Sequence, residues 1–446
     1  MPPNQPQMQS YAALQLLMDR VQRYRPDFVV TSENLPRLVR ICRFVEGLPL
    51  AIEMAATWVT HLAPAEIAAN LEADLSLLQL AARDLPPRQH SIAATLDYSW
   101  TFLTTEEAQQ ALDLPLFVGI VSRHALQAIL GLELPTLQSL VDKSILSAID
   151  AGRYQLHSVI RTFIVQKRAA LSAEERMGQV ETKRRYCQYY LTLLVDQASR
   201  LNRADAGEAL SLLRGSLPNI RQAWHEAFTI APELIQEKTI DALIAFYMRI
   251  GFSDDAIACC QSILDHSTVD ATDDALSLTD QRTSRRSALE PNLAATAEVN
   301  LAEIYLKLAC YPDALQHARR AIDLATSDQY PHGIGRGSCA LGCALIFSWK
   351  HQEADTCLRE ALQIAIDHNS LMLQGRCHEN LAYLLSEREA YQQGSLHSQR
   401  AYVCYADEED LPGMAAATAQ NAGIAMNQGK VDEAIDSLIQ ARDHQQ

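Results

Sequence analysis

The C-terminal third of the chain repeats itself at a fixed step, and that step leaves few folds open. The pairs Leu301-Ala302, Leu341-Gly342, Leu381-Ala382 and Asn421-Ala422 follow one another at intervals of 40 residues. Ala314, Ala354, Gly394 and Ala434 keep the same interval, as do Ala321, Ala361, Ala401 and Ala441. Within a unit the offsets are helical. A large residue stands four places after the start of the first three pairs (Tyr305, Leu345, Leu385), and small residues follow on the face where a second helix would pack. Self-similarity at a period of about 20–50 residues marks stacked units that bury their apolar faces only against their neighbours. A single unrepeated bundle has no reason to hold several positions to one spacing. Leu243, Tyr247, Ala256 and Cys260 match the same offsets and place an earlier unit at about 237–270. It precedes the next by 58 residues, so the segment near 268–293 is read as an inserted loop. Its Arg282, Arg285 and Arg286 are read as solvated.

The pattern resembles the tetratricopeptide repeat, lengthened from about 34 residues by longer turns between repeats. That resemblance implies an array that binds a protein or small-molecule ligand on its concave face and does no chemistry by default.

Charge narrows the partners. The 446 residues carry a net charge of −16, enough chain for about three domains. Residues 1–170 contribute −2 (14 basic, 16 acidic) and residues 294–446 contribute −9 (11 basic, 20 acidic). Non-specific nucleic-acid binding rests on phosphate neutralisation, for which an acidic chain is unsuited. No apolar run approaches the roughly 18 residues of a membrane span. The N-terminal MPPNQPQMQS lacks the basic-then-apolar order of a secretory signal, so a cytoplasmic protein without a membrane partner is expected. Ten cysteines in so long a chain do not form a disulfide scaffold. Cys42, Cys187, Cys259, Cys310 and Cys357 fall at apolar helical positions and read as buried free thiols.

From the N-terminus, residues 1–9 form a polar tail. A helix is expected over 11–24, closed by Arg25-Pro26-Asp27-Phe28, and another over about 33–45 with Ser32 as its cap. At Gly47-Leu48-Pro49-Leu50-Ala51, Gly47 suits a left-handed helix end and Pro49 the first turn of the next helix. Ala51, Ala55 and Ala56 give that helix a small face. Pro64 starts a helix over 65–80, and Pro86-Pro87 marks a boundary. Helix is expected over 92–103. Thr104-Thr105-Glu106-Glu107 is a capping box, and Pro135 opens a helix ending near Asp142. Residues 144–149 and 153–157 alternate as two strands about Asp150-Ala151-Gly152, before helix over 158–171. Ser172-Ala173-Glu174-Glu175 is a second capping box, and Lys183-Arg184-Arg185 reads as a solvated face.

Taken alone, residues 47–51 are a helix–turn–helix corner. They belong, however, to a series: Ile41-Cys42-Arg43, Glu46-Gly47-Leu48-Pro49-Leu50-Ala51-Ile52-Glu53, Leu85-Pro86-Pro87-Arg88-Gln89-His90, Leu96-Asp97-Tyr98-Ser99-Trp100, Leu140-Val141-Asp142-Lys143-Ser144 and Arg153-Tyr154-Gln155-Leu156-His157. In this order the series resembles the signal-transduction ATPases with numerous domains, the STAND class. Within it the bacterial regulators with an NB-ARC-like ATPase and tetratricopeptide repeats are the nearest. The resemblance covers about 10–230. It implies a helical lid over 10–86, a winged helix over 87–171, a helical linker over 172–236 and repeats over 237–446. It further implies that Gly47, Leu48 and Pro49 face a bound nucleotide and that His157 reaches the phosphates of ADP. Many relatives have Met-His-Asp where this chain has Leu156-His157-Ser158, so the acidic member is replaced by Ser158.

A P-loop needs GxxxxGK[S/T], because backbone N–H groups and the lysine cradle phosphates; none occurs. Gly333-Ile334-Gly335-Arg336-Gly337 reads as a turn between repeats. The chain begins where the family's lid begins. The expectation is therefore no cofactor in isolation, with ADP or ATP held only if a P-loop ATPase chain supplies the core. No HExxH, paired CxxC or GxSxG appears, and no enzyme is expected. His317, His351, His378 and His397 read as scattered surface residues, and Cys339 with Cys343 lacks further zinc ligands. The helix over 134–144 offers only Lys143 as a cation, too little for a DNA reader. The fold expected is mainly α: lid, winged helix with a small β wing, then an α-solenoid. The function expected is intracellular regulation, the array sensing a ligand or partner and the N-terminal part coupling it to a nucleotide switch. A nucleotide-independent scaffold and a DNA-binding regulator using the winged helix are the alternatives.

Overall fold

The structure, a computed structural model, describes residues 12–47, 49–73, 92–170, 173–273 and 292–443. The expected tail at 1–9, Leu48, the Pro86-Pro87 boundary, Ser172 of the second capping box and the arginines of the inserted loop lie outside the described residues. The chain divides into two compact units, Met1–Tyr189 and Tyr190–Gln446.

The first unit opens with α1 (Ala12–Tyr24), α2 (Leu35–Phe44), α3 (Pro49–Thr57) and α4 (Pro64–Ala73). Leu14, Leu17 and Val21 of α1 and Leu38 and Ile41 of α2 are almost fully buried, as the 3.6-residue period requires. Ala51, Ala55 and Ala56 present the small buried face expected of α3. The expected Ser32 cap is not used. The start of α2 is closed instead by a reciprocal pair, Thr31 N–H donating to Asn34 Oδ1 (2.8 Å) and Asn34 N–H to Thr31 Oγ1 (3.2 Å). Pro36, in the first turn, sets the helix start after Asn34.

Next come α5 (Ile92–Trp100), α6 (Thr105–Leu112), β1 (Ile120–Ser122), α7 (Arg123–Leu130), α8 (Leu134–Asp142), β2 (Ser147–Asp150), β3 (Arg153–Gln155) and α9 (Ser158–Ala169). The Thr104 capping box forms as expected. The hairpin forms with Gly152 in the left-handed region (φ 81°). The strand β1, which the alternation did not reveal, pairs antiparallel with β3 and gives the order β1-β3-β2. Three residues carry too short an alternation to be read from sequence. α10 (Ala173–Ala198) follows.

The second unit is helical throughout its described residues. α11 (Ala206–Ile230) leads into five hairpins: α12 (Glu237–Arg249) with α13 (Ser253–Asp273), α14 (Asn292–Lys307) with α15 (Tyr311–Ser327), α16 (Pro331–Phe347) with α17 (His351–Asp367), α18 (Leu371–Glu387) with α19 (Tyr391–Asp407), and α20 (Leu411–Asn427) with α21 (Val431–Asp443). The earlier unit read from Leu243, Tyr247, Ala256 and Cys260 is the first of these, and all four residues are buried.

The structure explains the 40-residue step differently from the sequence. α16, α17, α18 and α19 are each 17 residues long. The turns at 348–350 and 368–370 have only three residues each. The added length is therefore in the helices and not in longer turns. The three-residue turns from α14 to α20 close the same way. Ala309, Trp349 and Glu389 take left-handed φ of 57–62° at one position, and Gln329, Asn369 and Glu409 take 52–56° at the other. The next amide donates back across the turn, from Cys310 to Tyr305 O, Lys350 to Leu345 O and Ala390 to Leu385 O, each at 2.9 Å.

Small residues set the helix spacing. A Cβ at Gly342 would lie 2.6 Å from Leu358 Cγ. The stretch Gly333–Gly337 is not a turn; it lies inside α16. Its glycines are points of close approach, Gly335 to Ile364 and Leu373 and Gly337 to Ile322, and the turn lies just before it at 328–330.

Candidate functional site

Two arrangements bring chemistry-bearing residues together, one in each unit. In the first unit, α2 ends in a double turn in which Gly47 N–H donates to Cys42 O (3.2 Å) and Glu46 N–H to Arg43 O (3.1 Å). This is the Schellman pattern. Its left-handed residue, expected at Gly47, is first of all Glu46 (φ 48°), with Gly47 following at φ 74°. A side chain in this region costs about 1–2 kcal/mol. What holds Glu46 there is its carboxylate, which reaches 112 residues along the chain to the start of α9. Oε1 accepts from the Ser158 amide (2.8 Å) and from Ser158 Oγ (2.8 Å), while Oε2 pairs with His157 Nδ1. Ser158 Oγ also meets Phe44 O. An anion at a helix N-terminus is favoured by unpaired amides and by the helix dipole.

Of the predicted residues, His157 is brought to the corner at Gly47 through its contact with Glu46, while Leu48 lies outside the described residues. Gly47 and His157 flank one carboxylate, and Pro49 opens α3 two residues on from Gly47. Ser158 itself meets the carboxylate of Glu46, a residue that the sequence reading passed over as a flank of the motif.

Lys143, which follows the last residue of α8, is engaged by Glu107 Oε2 at 2.8 Å. Its hydrogen bond is the main reason why the Glu107 carboxyl is held down at about 2.

The second arrangement is a groove of about 310 Å³ in the wall made by the first helix of four successive hairpins. Ile244 and Met248 of α12, Ile304 of α14 and Met372 and Leu373 at the start of α18 supply an apolar lining. Across it runs an ion-pair chain. Arg336 is bidentate on Asp241 (2.8 and 3.2 Å) and also meets Glu237 (3.2 Å) and Glu303 (3.5 Å). Arg376, one 40-residue step on, takes Glu303 at 2.7 Å. Asn300 donates to Asp241 at 2.8 Å. Burial acts against the Arg336 charge, but Asp241, Glu303 and Glu237 outweigh it and raise its pKa. Glu303 is lowered because Arg376, Arg336 and Lys307 overcome its own burial. The two arginines differ in reach: the Arg336 side chain is 10 % exposed, that of Arg376 43 %.

This network was not foreseen. Arg336 lay in a stretch read as a turn. The available clue was the recurrence of arginine at 336 and 376, at the repeat step. The histidines also differ from expectation. His378 is 7 % exposed, and its Nδ1 lies 2.9 Å from His397 Nδ1. Burial, then His397, lowers its pKa to about 4. His317 pairs with Glu298 at 2.5 Å, at positions 80 residues earlier. These residues are contacts between the two helices of a hairpin and not scattered surface groups. Among the described residues no group of three or more metal-ligating side chains forms a metal site, and no helix is long and apolar enough to cross a membrane.

No family model matches the chain. A protein of Mycobacterium tuberculosis provisionally named an HTH-type transcriptional regulator is 32% identical over 191 residues, which are 41% of this chain and 21% of that protein. Among solved structures, a STAND protein with a tetratricopeptide repeat sensor from Pyrococcus horikoshii overlaps 96% of this chain and 65% of its own at 13% identity, with a TM-score of 0.33. The apo form of RapI overlaps 64% of this chain and 91% of its own at 12% identity, with a TM-score of 0.42. The chain thus spans about a fifth of the length of the mycobacterial regulator that it resembles.

Proposed function

We propose that the chain is a regulatory protein whose repeat array takes a segment of a partner protein into the groove of the second unit. The observation that carries this reading is the groove itself, in which apolar side chains from three helices surround an ion-pair chain crossing four hairpins. Arg376 is the half-open member of that chain, free to exchange part of its contact with Glu303 for a carboxylate or carbonyl of the guest. Selection of displayed random peptides against the whole chain tests the reading. Enriched peptides are expected to lose binding to Met248→Glu and Arg376→Ala variants. Peptides that bind all three proteins alike defeat it.

The first unit is proposed to be the lid and winged helix of a STAND-type switch, with Glu46, His157 and Ser158 as its latch and the P-loop core supplied by a further polypeptide. The meeting of the Gly47 corner with His157 supports this reading. Calorimetry with ADP and ATP tests it: the chain alone is expected not to bind. Micromolar binding lost in Pro49→Ala and His157→Ala variants would instead mean that lid and wing suffice. The name of the mycobacterial relative favours a second reading, DNA contact through residues 87–171. Retention on DNA that weakens steeply with salt would support it, although Lys143 is already engaged by Glu107.

A further inference from the structure

The loop that joins α10 to α11 reaches the far end of the array. It is wound from successive turns, and Arg200 Nε donates to Asp205 Oδ2 across it at 2.6 Å. Leu201 is buried and anchors it, while Asn202 and Arg203 stand exposed at its tip. From that tip the Asn202 carbonyl accepts from the Leu411 amide at 2.9 Å, and Arg203 pairs with Glu409 at 3.0 Å. Leu411 is the first residue of α20, and Glu409 lies in the turn before it. All of these residues belong to the second unit. The first helices of the hairpins, α12, α14, α16 and α18, carry the groove. The next in that series, α20, is thus fastened to the segment that precedes the first. A curved wall whose two ends meet is closed on its concave side, the side on which such arrays bind.

The closure is weakly held. Its ion pair is exposed on both sides, and such pairs hold little. Between the two tied residues lies Asp410, 7 % exposed, where Ser370 at the same repeat position is half-buried. Its Oδ1 is buried without a hydrogen-bond partner, an arrangement that costs free energy while the carboxylate is charged. Burial pushes the Asp410 carboxyl up, against the pull of the Gly413 amide and of the Arg376 charge. Arg376 is the half-open arginine of the groove. A guest carboxylate on Arg376 would cancel a charge that offsets the burial of Asp410.

We propose that residues 199–205 are a strap that holds the array closed on its groove, and that a guest is admitted when the Asn202–Leu411 and Arg203–Glu409 contacts part. The contact is autoinhibitory, and this role rests on the groove being the guest's site. A guest that engages Arg376 weakens the strap, so entry and opening favour each other.

The test uses the whole chain. Hydrogen exchange is read by mass spectrometry over residues 199–205 and the first turn of α20. It is expected to run several-fold faster in Arg203→Glu and in Glu409→Arg than in wild type. Combining the two substitutions is expected to restore the wild-type rate, because the exchanged charges pair again. Acceleration that persists in the double variant, or none in either single variant, overturns the strap. Displayed random peptides are then selected against wild type and Arg203→Glu in parallel. Enriched peptides are expected to bind Arg203→Glu several-fold more tightly than wild type or the double variant, and to speed exchange at the strap of wild type. Equal affinity for all three proteins overturns the autoinhibition and leaves the groove reading intact. Enrichment against neither protein, with the charge exchange holding, defeats the groove reading and the autoinhibition together.

Discussion

Replacing Glu46 separates two opposed contributions where the end of α2 meets the start of α9. In Glu46→Ala the left-handed backbone keeps its cost of about 1–2 kcal/mol, while the carboxylate contacts to the Ser158 amide, Ser158 Oγ and His157 are lost. Hydrogen bonds to a charged group are worth about 1.5–3 kcal/mol each, and an anion at a helix N-terminus about 0.3–1 kcal/mol. The Glu46 side chain is 24 % exposed, so water replaces part of what is lost. A net cost of about 2–3 kcal/mol is expected after that discount. In Glu46→Gly the contacts vanish equally but the backbone strain is relieved, leaving a cost of about 1–2 kcal/mol. Hydrogen exchange of peptides covering the first turn of α9, read by mass spectrometry, is the local assay. At about 1.4 kcal/mol per factor of ten, exchange should speed up by roughly thirty-fold or more in the alanine variant and several-fold less in the glycine variant. Equal acceleration in the two would refute the strain. No acceleration in either would refute the capping of α9 by Glu46.

Glycine substitutions should change sign with their surroundings. Gly342→Ala drives a Cβ into Leu358 and should destabilise by about 1–2 kcal/mol, the overpacking cost exceeding the helical gain. Gly423→Ala has nothing within 4 Å and should stabilise by about 0.5–1 kcal/mol; urea-denaturation midpoints of the two variants compare them. Arg336→Met takes the arginine from Asp241 and Glu237, leaving Glu303 to Arg376, and should cost about 3–5 kcal/mol in the same assay. Glu107 makes the first unit acid-sensitive. Its carboxyl is lowered from 4.5 to about 2, chiefly by Lys143. Its contribution is thus complete above about pH 4.5 and lost as the pH falls toward 2. Lys143→Met should remove about 1–2 kcal/mol of stability at pH 6, and the gap between variant and wild type should close by pH 2.

The fold was legible where a period was long enough to count. The 40-residue step exposed the hairpins, and the offsets at Leu243 and Ala256 found the one displaced by the insertion. The Thr104 box and the left-handed need at Gly152 were readable because local hydrogen bonding alone sets them. The strand β1 was not, because its three residues acquire their conformation from β3 and not from their own pattern. Glycine misled at 333–337, where the same lack of a side chain that permits a turn permits a neighbouring helix to come close. The candidate sites were half legible. Gly47 and His157 could be named from motifs, but Glu46 could not be tied to Ser158 across 112 residues without a fold. The Arg336–Asp241 pair joins α16 to α12 across the inserted segment and has no trace in local sequence.

The uniform three-residue turns make the array a set of interchangeable parts. Gln329, Asn369 and Glu409 occupy the same left-handed closing position, with φ of 52°, 52° and 56°. Excising residues 331–370 would join Tyr330 to Leu371 and present the following helix to a junction that it already fits. Duplicating the same block would lengthen the chain without requiring a new kind of junction. Gene duplication and unequal crossing-over could therefore resize this molecule in whole hairpins. The cost would fall on the groove, because the excised block carries Arg336 and leaves Arg376 to inherit its register.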